Sequence, residues 1–462
     1  MLPVAGIILA AGKGTRMKSD LPKGLHRVAG LPMVELIARA MREAGVPRPI
    51  IVIGHGGDKL KDALGDQYDY VWQHEQLGTG HAVRMAEELL NSFDGPVLVA
   101  PGDAPLINSD IFKSLLGAHR DGESACTLLT AELSDPTGYG RVVRDEVGNA
   151  CQIVEHKDAT PEQLAIHEVN VSIYCFDSKE LFRLLPSLGN SNRQGEYYLT
   201  DMVEAISKTG KPVSSVATSD PGALVGVNDR WQLAQADADL FARTAKRHAL
   251  AGVTLIGHDS IRIEPDVEIA ADVIIEGPVQ ILGKSKISSG CRIGPNTRII
   301  ASTIGARTTI LMSHVAEAKI GDDVWVGPFA NLRPNSELGN GVKIGNFVET
   351  KNTRLADDVK LSHLSYIGDS TVGANTNIGA GVITANYDGS NKYPTTIGEN
   401  AFVGSNSTLI APVTIGQGAF VVAGSVITED VPDDAGAFGR ARQATKPGWA
   451  KEWRRRKKSS NP

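Results

Sequence analysis

A branched aliphatic residue returns at every sixth position through much of the second half of the chain. Ile263, Ile269, Ile275, Ile281, Ile287, Ile293 and Ile299 keep the step without a miss; Ile320, Val326, Leu332, Leu338 and Ile344 keep it again, as do Ile397, Val403, Leu409, Ile415, Val421 and Ile427. A period of six fits neither the 3.6 of a helix nor long simple alternation, and is the hexapeptide signature of a parallel β-helix. Glycine often follows the aliphatic residue, as at Gly294, Gly305, Gly321, Gly327, Gly345, Gly404 and Gly416, which suits tight corners. With three hexads to a triangular coil, the run from Ile263 to Ile427 holds about nine coils spaced about 4.8 Å apart. The knobs then form one dry core, and only the two ends expose unpaired backbone.

The first half has a different rhythm. From Val4 to about Leu224, short apolar runs (Ile7 to Ala11, Pro49 to Ile53, Tyr68 to Gln73, Pro96 to Ala100, Ala125 to Leu129) alternate with stretches of helical spacing such as Met33 to Ala44 and His81 to Leu90. That alternation predicts a mostly parallel, doubly wound sheet, which binds ligands beyond the carboxyl ends of its strands. Asp229 to Ala251 lacks Gly and Pro and places Leu233, Ala236, Leu240 and Ala245 at helical spacing, so it reads as one long helix, positioned to cap the first coil. The expected division is therefore an α/β domain over 1–228, a linker helix over 229–251 and a β-helix with its tail over 252–462.

Composition narrows the class. The 462 residues are 42% hydrophobic and 22% charged with a formal net charge of −6, a balance that gives no overall attraction to nucleic acid or to an anionic membrane. Cys126, Cys151, Cys175 and Cys291 are scattered, with no CxxC pair, which speaks against a zinc site or disulfide framework and for a reducing cytoplasm. The apolar start from Leu2 to Ala11 has no basic flank and runs into a glycine loop, so it reads as a strand and not a signal peptide; no stretch reaches membrane-span length. The tail carries Trp449, Trp453 and then Arg454 to Lys458; the tryptophans are candidates to cover the last coil, and the end is expected to be disordered.

Two strand ends carry candidate chemistry. Leu9-Ala10-Ala11-Gly12-Lys13-Gly14-Thr15-Arg16-Met17, with Asp20-Leu21-Pro22-Lys23, is a glycine loop whose amides can approach phosphate oxygens while Arg16 and Lys23 add positive charge. Its spacing matches neither GxxxxGK[ST] nor GxGxxG. Pro101-Gly102-Asp103 follows another strand, where a carboxylate is a natural ligand for the magnesium that accompanies a nucleoside triphosphate. Within the repeats, Phe347 to Lys351 and Leu361 to Tyr366 introduce Glu349, Lys351, His363 and Tyr366, and Ala385 to Tyr393 breaks the period and must leave the prism as a loop.

These motifs, together with Gln73, Gln76-Leu77-Gly78-Thr79-Gly80, Thr137 to Arg141, Val154 to Asp158, Asn170, Gly195 to Tyr198 and Gly226-Val227-Asn228, resemble the sugar-phosphate nucleotidylyltransferase family. Joined to a hexapeptide helix, nearly the whole chain is similar to the bacterial bifunctional N-acetylglucosamine-1-phosphate uridylyltransferases and glucosamine-1-phosphate N-acetyltransferases. The resemblance implies a Rossmann-like nucleotidylyltransferase domain followed by a left-handed parallel β-helix, making UDP-N-acetylglucosamine for peptidoglycan and lipopolysaccharide precursors. It implies that Leu9, Ala10, Ala11, Gly12, Lys23, Gln73, Gly78, Thr79, Pro101, Gly102 and Asp103 hold the uridine nucleotide, and that Gly140, Glu155, Asn170 and Asn228 hold the sugar. Asp103 and Asn228 would share Mg²⁺, and Arg16 would be catalytic. For the second reaction it implies His363 as base, tuned by Glu349; Arg333, Lys351, Tyr366 and Asn377 on the sugar phosphate; and Ala380, Asn386, Tyr387, Ser405, Ala423 and Arg440 on acetyl-CoA. UTP and acetyl-CoA are substrates, and the implied assembly is a homotrimer.

Gly24 stands where the family usually has a branched apolar residue, Pro101 where an aromatic is common, and Val171-Ser172 follow Asn170 where Thr-Gly is usual. Two other readings compete: a single-site nucleotidylyltransferase with a regulatory β-helix, and a scaffold with a nucleotide-sensing head. The Glu349, His363 and Asn386 constellation speaks against the first; Gly12, Arg16, Lys23 and Asp103 speak against the second.

Overall fold

A computed structural model describes residues 3–218, 220 and 226–459; Leu2, Leu224 and the final Ser460 to Pro462 of the tail lie outside the described residues. The chain divides into two units, Met1–Leu240 and Phe241–Pro462, and the helix Arg230–Leu250 runs through the division.

In the first unit the short apolar runs pair into one sheet. Its strand order is Val213–Ala217, Cys126–Glu132, Glu168–Asp177, Pro96–Pro101, Ala5–Leu9, Ile50–Ile53, Asp69–Trp72. Most neighbours are parallel. Glu168–Asp177 is the exception, running antiparallel to both of its neighbours, and it follows a hairpin, Arg141–Arg144 with Ala150–Val154, that the hydrophobic pattern does not reveal. Both faces are covered, with Ile8, Ile51 and Leu98 in one apolar cluster and Ile7, Val52 and Val99 in the other, as a buried sheet requires. The stretch expected as one helix from His81 to Leu90 is two short ones, Thr79–Arg84 and Glu87–Leu90.

In the second unit the hexad step becomes a left-handed parallel β-helix. Where the step is intact, each residue pairs with the one 18 positions on, as Ile263 with Ile281 and Phe402 with Phe420. One long step, from Asn377 to Phe402, carries the 385–393 loop. The periodic aliphatics are buried in one continuous core, except that Ile269 in the open first coil is only partly covered. The second part of the long helix closes that end: Phe241, Ala245 and His248 are buried, Arg247 donates to Pro265 O at 2.9 Å, and Arg262 lies 5.2 Å over the Phe241 ring.

The glycines act differently from the expectation. Of those that follow the aliphatic positions, only Gly327 has a left-handed backbone (φ 106°). The others sit where coils nearly touch: a Cβ on Gly345 would lie 1.9 Å from Ser362 O, and one on Gly305 2.4 Å from the backbone of Gly321. Left-handed corners are shared between Asn and Asp, including Asn296, Asp323, Asn335, Asp358, Asn375 and Asn406, whose short polar side chains tolerate that conformation, and glycines off the aliphatic step, including Gly283, Gly290, Gly341, Gly381, Gly418 and Gly424.

The tail departs from expectation too. Trp449–Ser459 is a helix that includes the basic run, because Trp449 and Trp453 stack at 6.2 Å one turn apart and Arg456 pairs with Glu452 four residues back. Neither tryptophan covers the last coil; they are 55% and 47% exposed.

Candidate active sites

In the first unit a cleft of about 530 Å³ opens beyond the carboxyl ends of the central strands. The Ala5–Leu9 strand runs out into the glycine loop, and Gly14 turns at φ 59°, where a Cβ would lie 2.8 Å from that of Lys23. Gly102 donates its amide to Leu9 O at 2.8 Å, an approach any side chain would obstruct, since a Cβ there would meet the same oxygen at 2.8 Å. This brings Asp103 beside the loop. Val227 N then bonds Asp103 O at 2.8 Å and delivers Asn228. The Asn228 backbone N–H donates to Gln232 Oε1 at 2.7 Å, and its side-chain Nδ2 donates to Gly226 O at 3.1 Å, leaving Oδ1 to accept from two cations, Arg16 at 2.9 Å and Lys23 Nζ at 2.9 Å. The Lys23 ammonium also bonds the Asp103 carboxylate.

One cation is thus gripped by a carboxylate and an amide oxygen. Two hard oxygens converging on a point suit a divalent ion that keeps waters and phosphate oxygens as its remaining ligands. Among the described residues no group of three or more His, Cys, Asp or Glu could build a closed metal cage. The donor set therefore fits an ion that arrives with a polyphosphate.

The other end of the cleft is uncharged but for carboxylates. Gln73 Nε2 donates to Gly78 O at 3.0 Å, and Gly78 (φ 111°) lies so close to Tyr197 that a Cβ would be 2.5 Å from its carbonyl oxygen. Gly80 N to Tyr197 O and Tyr197 N to Leu77 O, both 2.8 Å, stitch the two loops together, and the Thr79 hydroxyl accepts from Leu199 N at 3.0 Å. Glu155 receives a long bond from Thr200 Oγ1, 3.4 Å, and burial, more than any neighbour, raises its pKa above the ordinary carboxylate value. Gly140 and Asn170 stand behind the wall: Asn170 N bonds Gly140 O at 2.9 Å, and a Cβ on Gly140 would lie 3.6 Å from Glu155 Oε1. Neither lines the cleft, whereas Thr15, Gln76, Ser172, Tyr174, Gln194 and Thr200 do and carried no assigned role. Thr15, Gln76 and Gln194 lie in or beside the quoted motifs; Ser172 and Tyr174 are displaced toward the cleft by a bulge between Asn170 and Tyr174 that no pattern announces. Gly24 is buried, and the place of its missing side chain is taken by Val34, whose Cγ2 would be 2.4 Å from a Cβ.

On the β-helix, parallel register sets the second group. Asn346 pairs with His363, and His363 Nδ1 lies 2.8 Å from Asn346 Oδ1. The imidazole thus finds its partner in Asn346, while the Glu349 carboxylate is taken by Arg333 at 2.8 Å. Glu349 pairs with Tyr366, and Asn377 with Phe402. Lys351 contacts Lys392 across the loop, and that second ammonium, above all, lowers its pKa. The Asn386 amide donates to Asp369, which also accepts from Asn352 at 2.6 Å. Ala380, Ser405 and Ala423 repeat one corner of successive coils, Asn406 N bonding Ala380 O at 2.7 Å and Gly424 N bonding Ser405 O at 2.8 Å. Tyr387 is exposed on the loop, and Arg440 is exposed beyond the last coil. Asn346 and Asp369 escaped the sequence reading, and Lys392 lay in the expected loop without a role of its own; for Asn346 the signal was its place one coil before His363.

Comparison with known proteins follows the same division. Residues 6–165 match the MobA-like NTP transferase domain, 317–352 the bacterial transferase hexapeptide (six repeats), and 394–429 the hexapeptide repeat of succinyl-transferase. The chain is 47% identical over 443 residues to the bifunctional protein GlmU of Lactobacillus johnsonii, covering 96% of each chain. It is 47% identical over 443 residues to that of Exiguobacterium sibiricum, covering 96% of this chain and 99% of the relative, and 45% over 446 residues to that of Enterococcus faecalis, covering 96% and 97%.

Proposed function

The chain belongs to the bifunctional GlmU family, and from that premise we propose that its two units carry the two steps that make UDP-N-acetylglucosamine. The enzyme is a bifunctional transferase. The β-helix unit moves acetyl from acetyl-CoA to glucosamine-1-phosphate, and the α/β unit moves uridylyl from UTP to N-acetylglucosamine-1-phosphate, releasing pyrophosphate. The observation that carries this reading is the pairing of a cationic glycine loop with Asp103 and Asn228 in one unit and an oriented imidazole at His363 in the other.

In uridylyl transfer a phosphate oxygen of the sugar attacks the α-phosphorus in line. That oxygen is already ionised and needs no base, so the work is positioning and charge neutralisation. Loop amides near Gly12 and the Arg16 and Lys23 side chains meet the phosphates, Lys23 being released from Asp103 as the triphosphate arrives. Mg²⁺, held by Asp103 and Asn228, would supply the rest of the positive charge. Gln73, Gly78 and Thr79 hold the base, and Glu155 with Asn170, acting from behind the wall, shapes the sugar end.

In acetyl transfer the amine must lose its proton before it can attack. Asn346 Oδ1 fixes the His363 Nδ1–H tautomer, leaving Nε2 as the lone pair that takes the proton. Arg333, Lys351, Tyr366 and Asn377 bind the sugar phosphate, and Ala380, Asn386, Tyr387, Ser405, Ala423 and Arg440 the acetyl-CoA. Ser405 or the second amide hydrogen of Asn386 donates to the thioester oxyanion.

The working assembly is a homotrimer in the cytoplasm. Exposed apolar corners at Phe329 (54%), Phe347 (56%) and Leu364 (62%) support a subunit interface, and four free cysteines suit a reducing compartment. No described helix is long and apolar enough to cross a membrane. The test is a coupled assay that offers each sugar phosphate with UTP and, separately, with acetyl-CoA. N-acetylglucosamine-1-phosphate should be the best uridylyl acceptor and glucosamine-1-phosphate the best acetyl acceptor; exchange of those preferences would overturn the reading.

A further inference from the structure

A carboxylate fixes the Asn386 amide. Asn352, Asp369 and Asn386 follow one another at steps of 17 residues, and each oxygen of Asp369 takes one of the two amides: Oδ1 accepts from Asn352 Nδ2 at 2.6 Å, and Oδ2 accepts from Asn386 Nδ2. An ionised carboxylate can only accept, so the NH2 end of Asn386 must face it, and the flipped amide with Oδ1 against Asp369 is excluded. Asn386 is 7% exposed, which leaves little water to serve an amide turned the wrong way.

The backbone here is held without Asp369. Gly368 N donates to the buried Thr384 Oγ1 at 2.8 Å, Ala411 N bonds Ala385 O at 3.1 Å, and Tyr393 N bonds Asn386 O at 2.9 Å to close the loop at its base. What Asp369 adds is therefore the direction of the Asn386 side chain. It also adds a charge: Arg333 and Lys392 act on Lys351 as like charges, and Asp369 as the opposing one.

We propose that Asp369 is a positioning residue for acetyl transfer, one that keeps the Asn386 amide turned so that its second N–H serves acetyl-CoA as a donor. This rests on the reading that Asn386 meets the thioester oxygen. An amide at position 369 has one oxygen to divide between Asn352 and Asn386, so the orientation of Asn386 is no longer forced.

The test is steady-state acetyl transfer by the full chain in three variants, each checked by a thermal melt. Asp369→Asn keeps the shape of the side chain and frees the Asn386 amide to flip. Asn386→Ala removes the donor. Exchange of the pair, Asp369→Asn with Asn386→Asp, restores a carboxylate bonded to an amide but leaves only an acceptor at 386. Loss of one oxyanion donor costs about 10²–10³-fold in kcat, which is expected for Asn386→Ala, while Asp369→Asn should lose about tenfold or more. KM for glucosamine-1-phosphate should not rise in Asp369→Asn, because the lost charge opposed the cations that bind phosphate; a loosened loop would raise it. The exchanged pair should melt near the parent temperature without recovering acetyl transfer. Full acetyl transfer by Asp369→Asn beside a loss in Asn386→Ala would overturn the proposal, as would recovered activity in the exchanged pair, or a raised sugar-phosphate KM with kcat unchanged. Full acetyl transfer by Asn386→Ala is a different result, one that sinks the reading of Asn386 and the proposal with it.

Discussion

Lys23 lies between Asp103 and Asn228, the two groups proposed to hold a divalent ion. Lys23→Met keeps the length of the side chain and removes the ammonium, so metal binding without nucleotide should become tighter even as uridylyl transfer fails. A hydrogen bond to a charged group contributes about 1.5–3 kcal/mol. The Lys23 and Asp103 side chains are 17% and 25% exposed, so solvent screens part of the interaction and the lower figure applies. About 1.4 kcal/mol corresponds to tenfold. Titrating the nucleotide-free protein with Mn²⁺ and reading free ion by electron paramagnetic resonance should therefore give a Kd about tenfold lower for Lys23→Met than for the parent. Adding Asp103→Asn to the variant should remove the site. An unchanged or weaker Mn²⁺ affinity in Lys23→Met would refute the competition between ammonium and metal.

Three further expectations follow. Gly24→Ala places a methyl 2.4 Å from Val34 Cγ2 in a buried site and should cost about 1–3 kcal/mol in urea unfolding, most of it recovered by Val34→Ala in the same chain. Asn346→Ala should lower acetyl transfer by an amount short of that in His363→Ala, for which removal of a general base costs about 10²–10⁴-fold, with uridylyl transfer unchanged. Burial lowers the pKa of His119 to about 4, so the neutral ring is favoured in the fold; the stability this gives is present above the ordinary value of 6.5 and is lost as pH falls from 6.5 toward 4. His119→Gln should accordingly lose less stability than the parent between pH 7 and pH 4 in thermal melts.

The hexad step made the β-helix legible because one residue in six had to be branched and apolar to fill a narrow core, and the pattern survives any choice of corner. Corners were harder to read. The glycines directly after the aliphatic step served coil contact at Gly305 and Gly345, while the left-handed turns went to asparagine, aspartate and other glycines such as Gly341 and Gly418, so the Ile-Gly pair that looked like the turn signal was answering a packing demand. In the first unit the parallel strands were readable from their apolar runs. The antiparallel Glu168–Asp177 strand was not, since its place in the sheet depends on a hairpin of modest hydrophobicity. Asp103 and Lys23 could be picked out from their loops, but that Lys23 bridges Asp103 to Asn228, 205 residues along the chain, belongs to tertiary structure alone. The same holds for His363: its residue type drew attention, whereas its partner Asn346 was set by coil register.

Two chemically separate centres in one chain should come apart under single substitutions, and measuring both activities in both variants tests this most directly. Asp103→Asn and His363→Ala would each be assayed as folded full chains for pyrophosphate release from UTP and for acetyl-CoA consumption with glucosamine-1-phosphate. Asp103→Asn should lose uridylyl transfer, because a neutral amide holds a divalent ion poorly beside a triphosphate, and should keep acetyl transfer. His363→Ala should show the reverse. Loss of both activities in either folded variant, or full acetyl transfer by His363→Ala, would contradict the assignment of one centre to each unit.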